Sequence, residues 1–507
     1  MLDIFIYKEN YPLIFTQAIF WVFFGVLMVV YQLVYKQNSL RNLLLLIFSL
    51  YFYYLSSGYY FTLLIFSTVV DYVLGNKVFK ETDERKRKIY VTISLIVNLG
   101  LLGYFKYAYF FTDTFNNIFD THIQTTNVLA LAVNTFFKST MDVSKIFLPV
   151  GISFYTFQTI SYTIDIYRRK LEPVKHILDF AFYVSFFPQL VAGPIVRAAD
   201  FVPQIYQKYR LNQAEFGRAG FLILNGLIKK IFVSDYISIN FVDRVFQSPG
   251  SYSGFENLMA TYGYSIQIYC DFSGYTDIAI GIALLLGYRL PLNFNSPYKA
   301  TSITDFWRRW HISLSSWLRD YLYISLGGNR KGNIRTYVNL LLTMLLGGLW
   351  HGAHMRFIIW GALHGLALAF HKIWMEMLAK VRGSKSDKPE PFVSKLIAGI
   401  ITFHFVAFCW IYFRASSIAD AHAVMSQIVS NFNTALIPEV LVSYKNVFLV
   451  MLVGFVGHWL PGSWKRLLQD AFTQAPDFAK ATIALAVALL LFQMKASEIQ
   501  PFIYFQF

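Results

Sequence analysis

An all-α polytopic membrane protein is the fold class this sequence predicts, and three observations predict it. Apolar residues make up 56% of the 507 residues and charged residues only 14%, where a soluble domain carries about 25% charged residues. Oily runs of about 20 residues, the length that crosses a hydrocarbon core, recur along the chain. Aromatic residues reach 19%, with 50 Phe and 34 Tyr, and such rings suit lipid-facing and headgroup-level surface. The composition excludes a disordered chain, a collagen and a disulfide scaffold. The two cysteines, Cys270 and Cys409, give neither a disulfide framework nor zinc spacing.

Taken in order, the clean runs are 12–34, 89–110, 335–351, 355–378, 393–413, 446–461 and 478–495. Mixed runs at 40–57, 59–75, 147–167, 178–196, 218–241 and 257–288 carry Gly, Pro, Asp or Ser. Irregular or polar backbone at membrane depth must be packed in protein or line a cavity, so broken and re-entrant helices are expected in the core. The expected total is about 11–13 spans. Asp3 and Glu9 stand where a signal peptide needs basic residues, and the apolar run after them is too long for one, so no cleaved leader is predicted. With no internal repeat, residues 1–507 read as a single domain, and the polar stretch 383–391 reads as a loop between spans.

Charge places the loops. The net charge is +15, which in an oily chain signals topology before any nucleic-acid partner, and none is expected. Basic residues cluster at 76–90, at Arg168, Arg169, Lys170 and Lys175, at Arg330, Lys331 and Arg335, and at Lys372, Lys380, Arg382, Lys385 and Lys388. The positive-inside rule puts these loops in the cytoplasm, and anionic lipid headgroups are a second use for them. Stretches 112–140 and 415–443, poor in Lys and Arg, then face outward, as does the N-terminus.

Ionisable residues inside oily segments are functional candidates by default. The run 307–320 holds Trp307, Arg308, Arg309, Trp310, His311, Ser313, Trp317, Arg319 and Asp320. Trp307, Trp310, Leu314 and Trp317 follow helical spacing, which predicts one interfacial or re-entrant helix. Its arginines either anchor it at the membrane surface or hold a phosphate- or pantetheine-bearing donor. His351, beside Trp350, ends an apolar run and is flanked by Gly347, Gly348, Gly352 and Ala353, small residues that allow close backbone approach. It reads either as a general base or as a core histidine bonded to a carbonyl.

Asp271 and Asp277 lie between apolar flanks and cannot face lipid; an imidazole, Arg308 or Arg309, or a water-filled cavity are the candidate partners. Gln158 and Gln189 sit in Pro- and Gly-punctuated oily runs that read as broken helices, lining a cavity or simply kinked. No metal site is expected: His351, His354, His364 and His371 lack a carboxylate or Cys at ligand spacing. Walker, nucleophile-elbow and Rossmann patterns are absent from the sequence.

Together these segments resemble the membrane-bound O-acyltransferase (MBOAT) family over about residues 40–375. The resemblance is carried by FWRRWHISLSSWLRDYLYISLGGNR and LLGGLWHGA, the two histidine segments, with QIYCDFSGYTDIAIGIALLLG, LPVGISFYTFQTISYTIDIYR and FPQLVAGPI closest to its bacterial alginate O-acetylation branch. The resemblance implies a central tunnel where an acyl thioester from the cytoplasm meets an acceptor from outside. It implies His351 as the main catalytic residue and His311 as a helper in donor binding or acid/base work. Arg308, Arg309, Trp310, Ser313, Asp271, Asp277, Trp350, Gln158 and Gln189 become candidate substrate contacts. No cofactor is implied, since acetyl-CoA or an acyl carrier serves as donor substrate. Expected partners are membrane lipid, an extracytoplasmic SGNH-type acetyltransferase that relays the group, and an alginate-like or cellulose-like polysaccharide. The expected location is the bacterial inner membrane. Alternatives are D-alanyl transfer to teichoic acid and a transporter or polymerase of lipid-linked saccharides, which would show inverted repeats.

Overall fold

Polar residues inside oily runs oblige helices to bury them against one another, and the computed structural model shows how. It describes residues 6–8, 12–138, 142–191, 193–382, 391–494 and 502. Asp3, Glu9 and nearly all of the 383–391 stretch lie outside the described residues. Among the described residues the secondary structure is helical, without strands.

The helix Gly254–Leu285 is the axis. Ser253 starts it: the Glu256 N–H donates to the Ser253 hydroxyl, and the Ser253 N–H donates to the Glu256 carboxylate at 2.9 Å, a reciprocal cap. Within its most apolar window 89% of residues are buried, so its polar side chains face protein. Gln213–Leu227, capped the same way by Asn212 and Glu215, lies against it and continues through π-helical turns at Ile228–Asp235 and Ser238–Val242. Two glycines set the crossing. A Cβ on Gly226 would come within 2.5 Å of the Gly274 carbonyl oxygen, and one on Gly274 within 2.7 Å of the Gly226 oxygen. Backbone meets backbone there, as in other membrane helix pairs.

Phe61–Lys80, Glu84–Leu102 and Ile152–Tyr167 form a second packed group. Asn333–His351 and Met355–Arg382 form a hairpin beside Phe392–Arg414. Among the described residues, five helices are long and apolar enough to cross a membrane, or up to seven if each of two bent pairs counts as one span. The sequence predicts more; runs 40–57 and 59–75 count as one helix, Asn38–Lys80, and part of the remaining difference has a physical reason. Run 147–167 becomes the 16-residue, almost wholly buried helix Ile152–Tyr167. Run 178–196 breaks at Phe186, and run 218–241 carries Lys229 and Lys230. These segments are solvated by protein, so they need neither full length nor uniform apolarity.

Candidate active site

His351 is the last residue of Asn333–His351, and Gly352 beyond it is extended. The hairpin that holds it closes tightly because Gly348 and Gly361 leave no side chain between the helices. A Cβ on Gly348 would strike the Phe357 carbonyl, and one on Gly361 the Met344 carbonyl. The imidazole is 3% exposed. Its ring centroid lies 5.0 Å from Trp350, 5.1 Å from Trp360 and 5.2 Å from Phe413.

The tryptophan- and arginine-rich run corrects the expectation of one helix. It splits into Ile303–Arg309 and Ile312–Trp317 at His311, whose φ of 41° is left-handed, a conformation costing a side-chain-bearing residue about 1–3 kcal/mol. The loop at 293–295 secures the break. Ile312 N–H donates to the Asn293 carbonyl (2.9 Å), Ser313 N–H to the Asn293 side chain (3.3 Å), and Asn295 N–H to the Arg309 carbonyl (3.0 Å). His311 is fully buried, with its ring 4.6 Å from Phe272 and 6.5 Å from His351. Two histidines from separate segments thus share one aromatic chamber.

The remaining predicted residues divide. Asp271 and Asp277 are held by lysines, not by Arg308 or Arg309: Lys230 lies 2.6 Å from Asp271 and 2.6 Å from Asp235, and Lys229 lies 2.7 Å from Asp277. Arg309 bonds Asp305 at 2.9 Å within its own helix, while Arg308 lines a cavity. Trp310 packs in the core against Phe306 and Trp410. The Ser313 hydroxyl accepts from the Ile195 N–H at 3.0 Å. Gln189 donates to the Tyr183 carbonyl at 2.5 Å; the side chain of Gln158 is buried with no hydrogen-bond partner among the described residues. Sequence reasoning missed Lys106, Lys229 and Lys230, although each interrupts an oily run.

Two cavities approach the chamber. One, of about 680 Å³, is lined by Arg308, Ile312, Ser315, Arg319, Met344 and Lys372, on the side of the basic loops. The other, about 80 Å³, is lined by Lys106, Pro149, Ser153, Phe154 and Trp350. It sits at the start of Ile152–Tyr167, the end away from the basic Arg168 and Arg169. His351 itself lines neither; its neighbour Trp350 borders the small one and His311's neighbour Ile312 the large one. A buried imidazole pair between a cationic cavity and a second opening is suited to moving a proton during group transfer with water excluded.

Comparison with known proteins gives the family. The membrane-bound O-acyltransferase family model matches residues 4–414. The chain is 38% identical over 422 residues to a peptidoglycan O-acetyltransferase of Helicobacter pylori, covering 78% of this chain and 75% of that protein. It is 37% identical over 503 residues to a probable alginate O-acetylase of Azotobacter vinelandii, covering 92% and 95%. A teichoic acid D-alanyltransferase of Bacillus subtilis is 28% identical over 282 residues, covering 54% and 70%. With its histidine pair buried in a polytopic helical core and a family match spanning most of its length, the chain belongs to the membrane-bound O-acyltransferase family and is an acyltransferase.

Proposed function

We propose that this protein takes an acetyl group from a cytoplasmic thioester, acetyl-CoA or an acyl carrier, and passes it across the inner membrane to a hydroxyl acceptor. The pathway is O-acetylation of an exopolysaccharide of alginate or cellulose type, by relay through an extracytoplasmic SGNH-type acetyltransferase. The observation that carries the reading is the 6.5 Å approach of the His311 and His351 rings between the two cavities. The relatives named for O-acetylation of alginate and peptidoglycan support the acyl group and the polysaccharide destination.

In this mechanism the donor's phosphates rest near Arg308, Arg319 and Lys372, and its thioester reaches inward along Ile312. His351 removes the proton of the acceptor hydroxyl as its oxygen attacks the thioester carbonyl. His311 stabilises the oxyanion of the tetrahedral intermediate. The C–S bond then breaks, and the imidazolium returns the proton to the thiolate. Burial of both rings protects the thioester from hydrolysis. The positive-inside rule puts the basic loops in the cytoplasm and the N-terminus outside.

Purified protein supplied with radiolabelled acetyl-CoA tests this. His351→Ala is expected to lower donor consumption by about 10²-fold or more, the usual contribution of a general base. Equal consumption by both forms, above background, would remove His351 from its role.

A further inference from the structure

The last carbonyls of a helix have no partner within it, and a catalytic residue at that position inherits whatever play the helix end has. His351 occupies such a position. At its end the Gly352 N–H reaches the Gly348 carbonyl at 3.4 Å, a long bond.

The neighbouring span adds bonds of its own. Glu84–Leu102 runs on into a π-helical turn, Gly103–Tyr107, a feature that recurs at functional sites. From that turn the Lys106 ammonium donates to the Trp350 carbonyl at 2.7 Å and the His351 carbonyl at 3.1 Å. The Tyr107 hydroxyl donates to the Leu349 carbonyl at 2.9 Å. Three successive carbonyls at the end of the helix are thereby held by two adjacent side chains. A cation there also meets the negative end of the helix dipole. A lysine this deep in an oily run would ordinarily extend its stem toward headgroups; Lys106 instead lies 5.8 Å from the Trp350 ring centroid, beside the candidate base.

We propose that Lys106 and Tyr107 are positioning residues for His351, clamping the final turn of its helix so that the imidazole stands in register with His311 and the reacting carbonyl. The proposal rests on the assignment of His351 as general base. Displacing a catalytic group by about 1 Å costs up to roughly a hundredfold in rate.

The test uses the full chain in lipid nanodiscs with acetyl-CoA as donor. Lys106→Met is expected to lower kcat ten- to a hundredfold, leaving the donor KM within about twofold and the unfolding temperature within a few degrees. Lys106→Arg, which keeps the cation, is expected to recover most of the loss. Tyr107→Phe, a milder change, is expected to lower kcat severalfold with the same KM. Amide hydrogen exchange across 346–352 reads the clamp without activity, and is expected to quicken in Lys106→Met. Unchanged exchange in that variant overturns the clamp whatever the rates. Equal loss of kcat and thermal stability, unrescued by arginine, overturns the positioning role. If His351→Ala consumes donor as fast as the native chain while exchange still quickens in Lys106→Met, the base assignment fails and the clamp stands.

Discussion

A carboxylate between three membrane helices survives only if polar groups replace its water. Asp71 meets that demand with neutral donors: the Ser94 hydroxyl at 2.5 Å, the Asn98 amide at 2.8 Å and the Thr163 hydroxyl at 3.3 Å. Asn98 in turn accepts from Ser67 and Thr159, so one side chain ties Phe61–Lys80, Glu84–Leu102 and Ile152–Tyr167 together. Asp71→Ala should lower stability by about 1–3 kcal/mol, because the surrounding donors lose their acceptor. Asp71→Asn should cost less. Thermal unfolding in detergent measures both, and an unchanged midpoint for the alanine variant would show that the network holds nothing. His311 and His351 were legible in the sequence because histidine amid Trp, Arg and Gly is conspicuous. Asp71, Lys106, Lys229 and Lys230 were not singled out, because a lone ionisable residue in an oily run declares itself only when its partner, on another helix, is known.

Helix extents were legible for the same reason that helix partners were not: extents follow from local composition. The expected runs 40–57, 257–288, 335–351 and 393–413 match Asn38–Ser57, Gly254–Leu285, Asn333–His351 and Phe392–Arg414 to within a few residues. The break at His311 was illegible, since nothing in the spacing of Trp307, Trp310, Leu314 and Trp317 reports the distant loop at 293–295 that stabilises a left-handed residue. Pairing between elements brings its own prediction. Lys229 reaches Asp277 across the Gly226–Gly274 crossing. Lys229→Met alone leaves a partly buried carboxylate without its cation, a change that in fully buried pairs costs about 3–5 kcal/mol and should cost less here. The double change Lys229→Met with Asp277→Leu should restore much of that loss. A double variant no more stable than the single one would mean that the two residues act independently.

At the scale of the whole molecule, the proposed orientation, with the basic loops inside, makes its own prediction. Cys270 and Cys409 are both buried, so an added surface cysteine reports alone. A membrane-impermeant maleimide should label Asn433→Cys on intact cells and Lys331→Cys only after lysis, both positions being exposed. The reverse pattern would invert the topology. Both feet of the Asn333–His351 and Met355–Arg382 hairpin stand among the basic loops, with His351, the proposed base, at its apex. Nineteen residues make a lever about 28 Å long. Tilting such a lever by about 2° swings its tip roughly 1 Å, as far as a catalytic group can stray before the rate collapses. With His351 as the proposed base, lateral pressure and bilayer thickness, which bear on helix tilt, would then enter the rate, and the surrounding lipid would become in effect a part of the reaction centre.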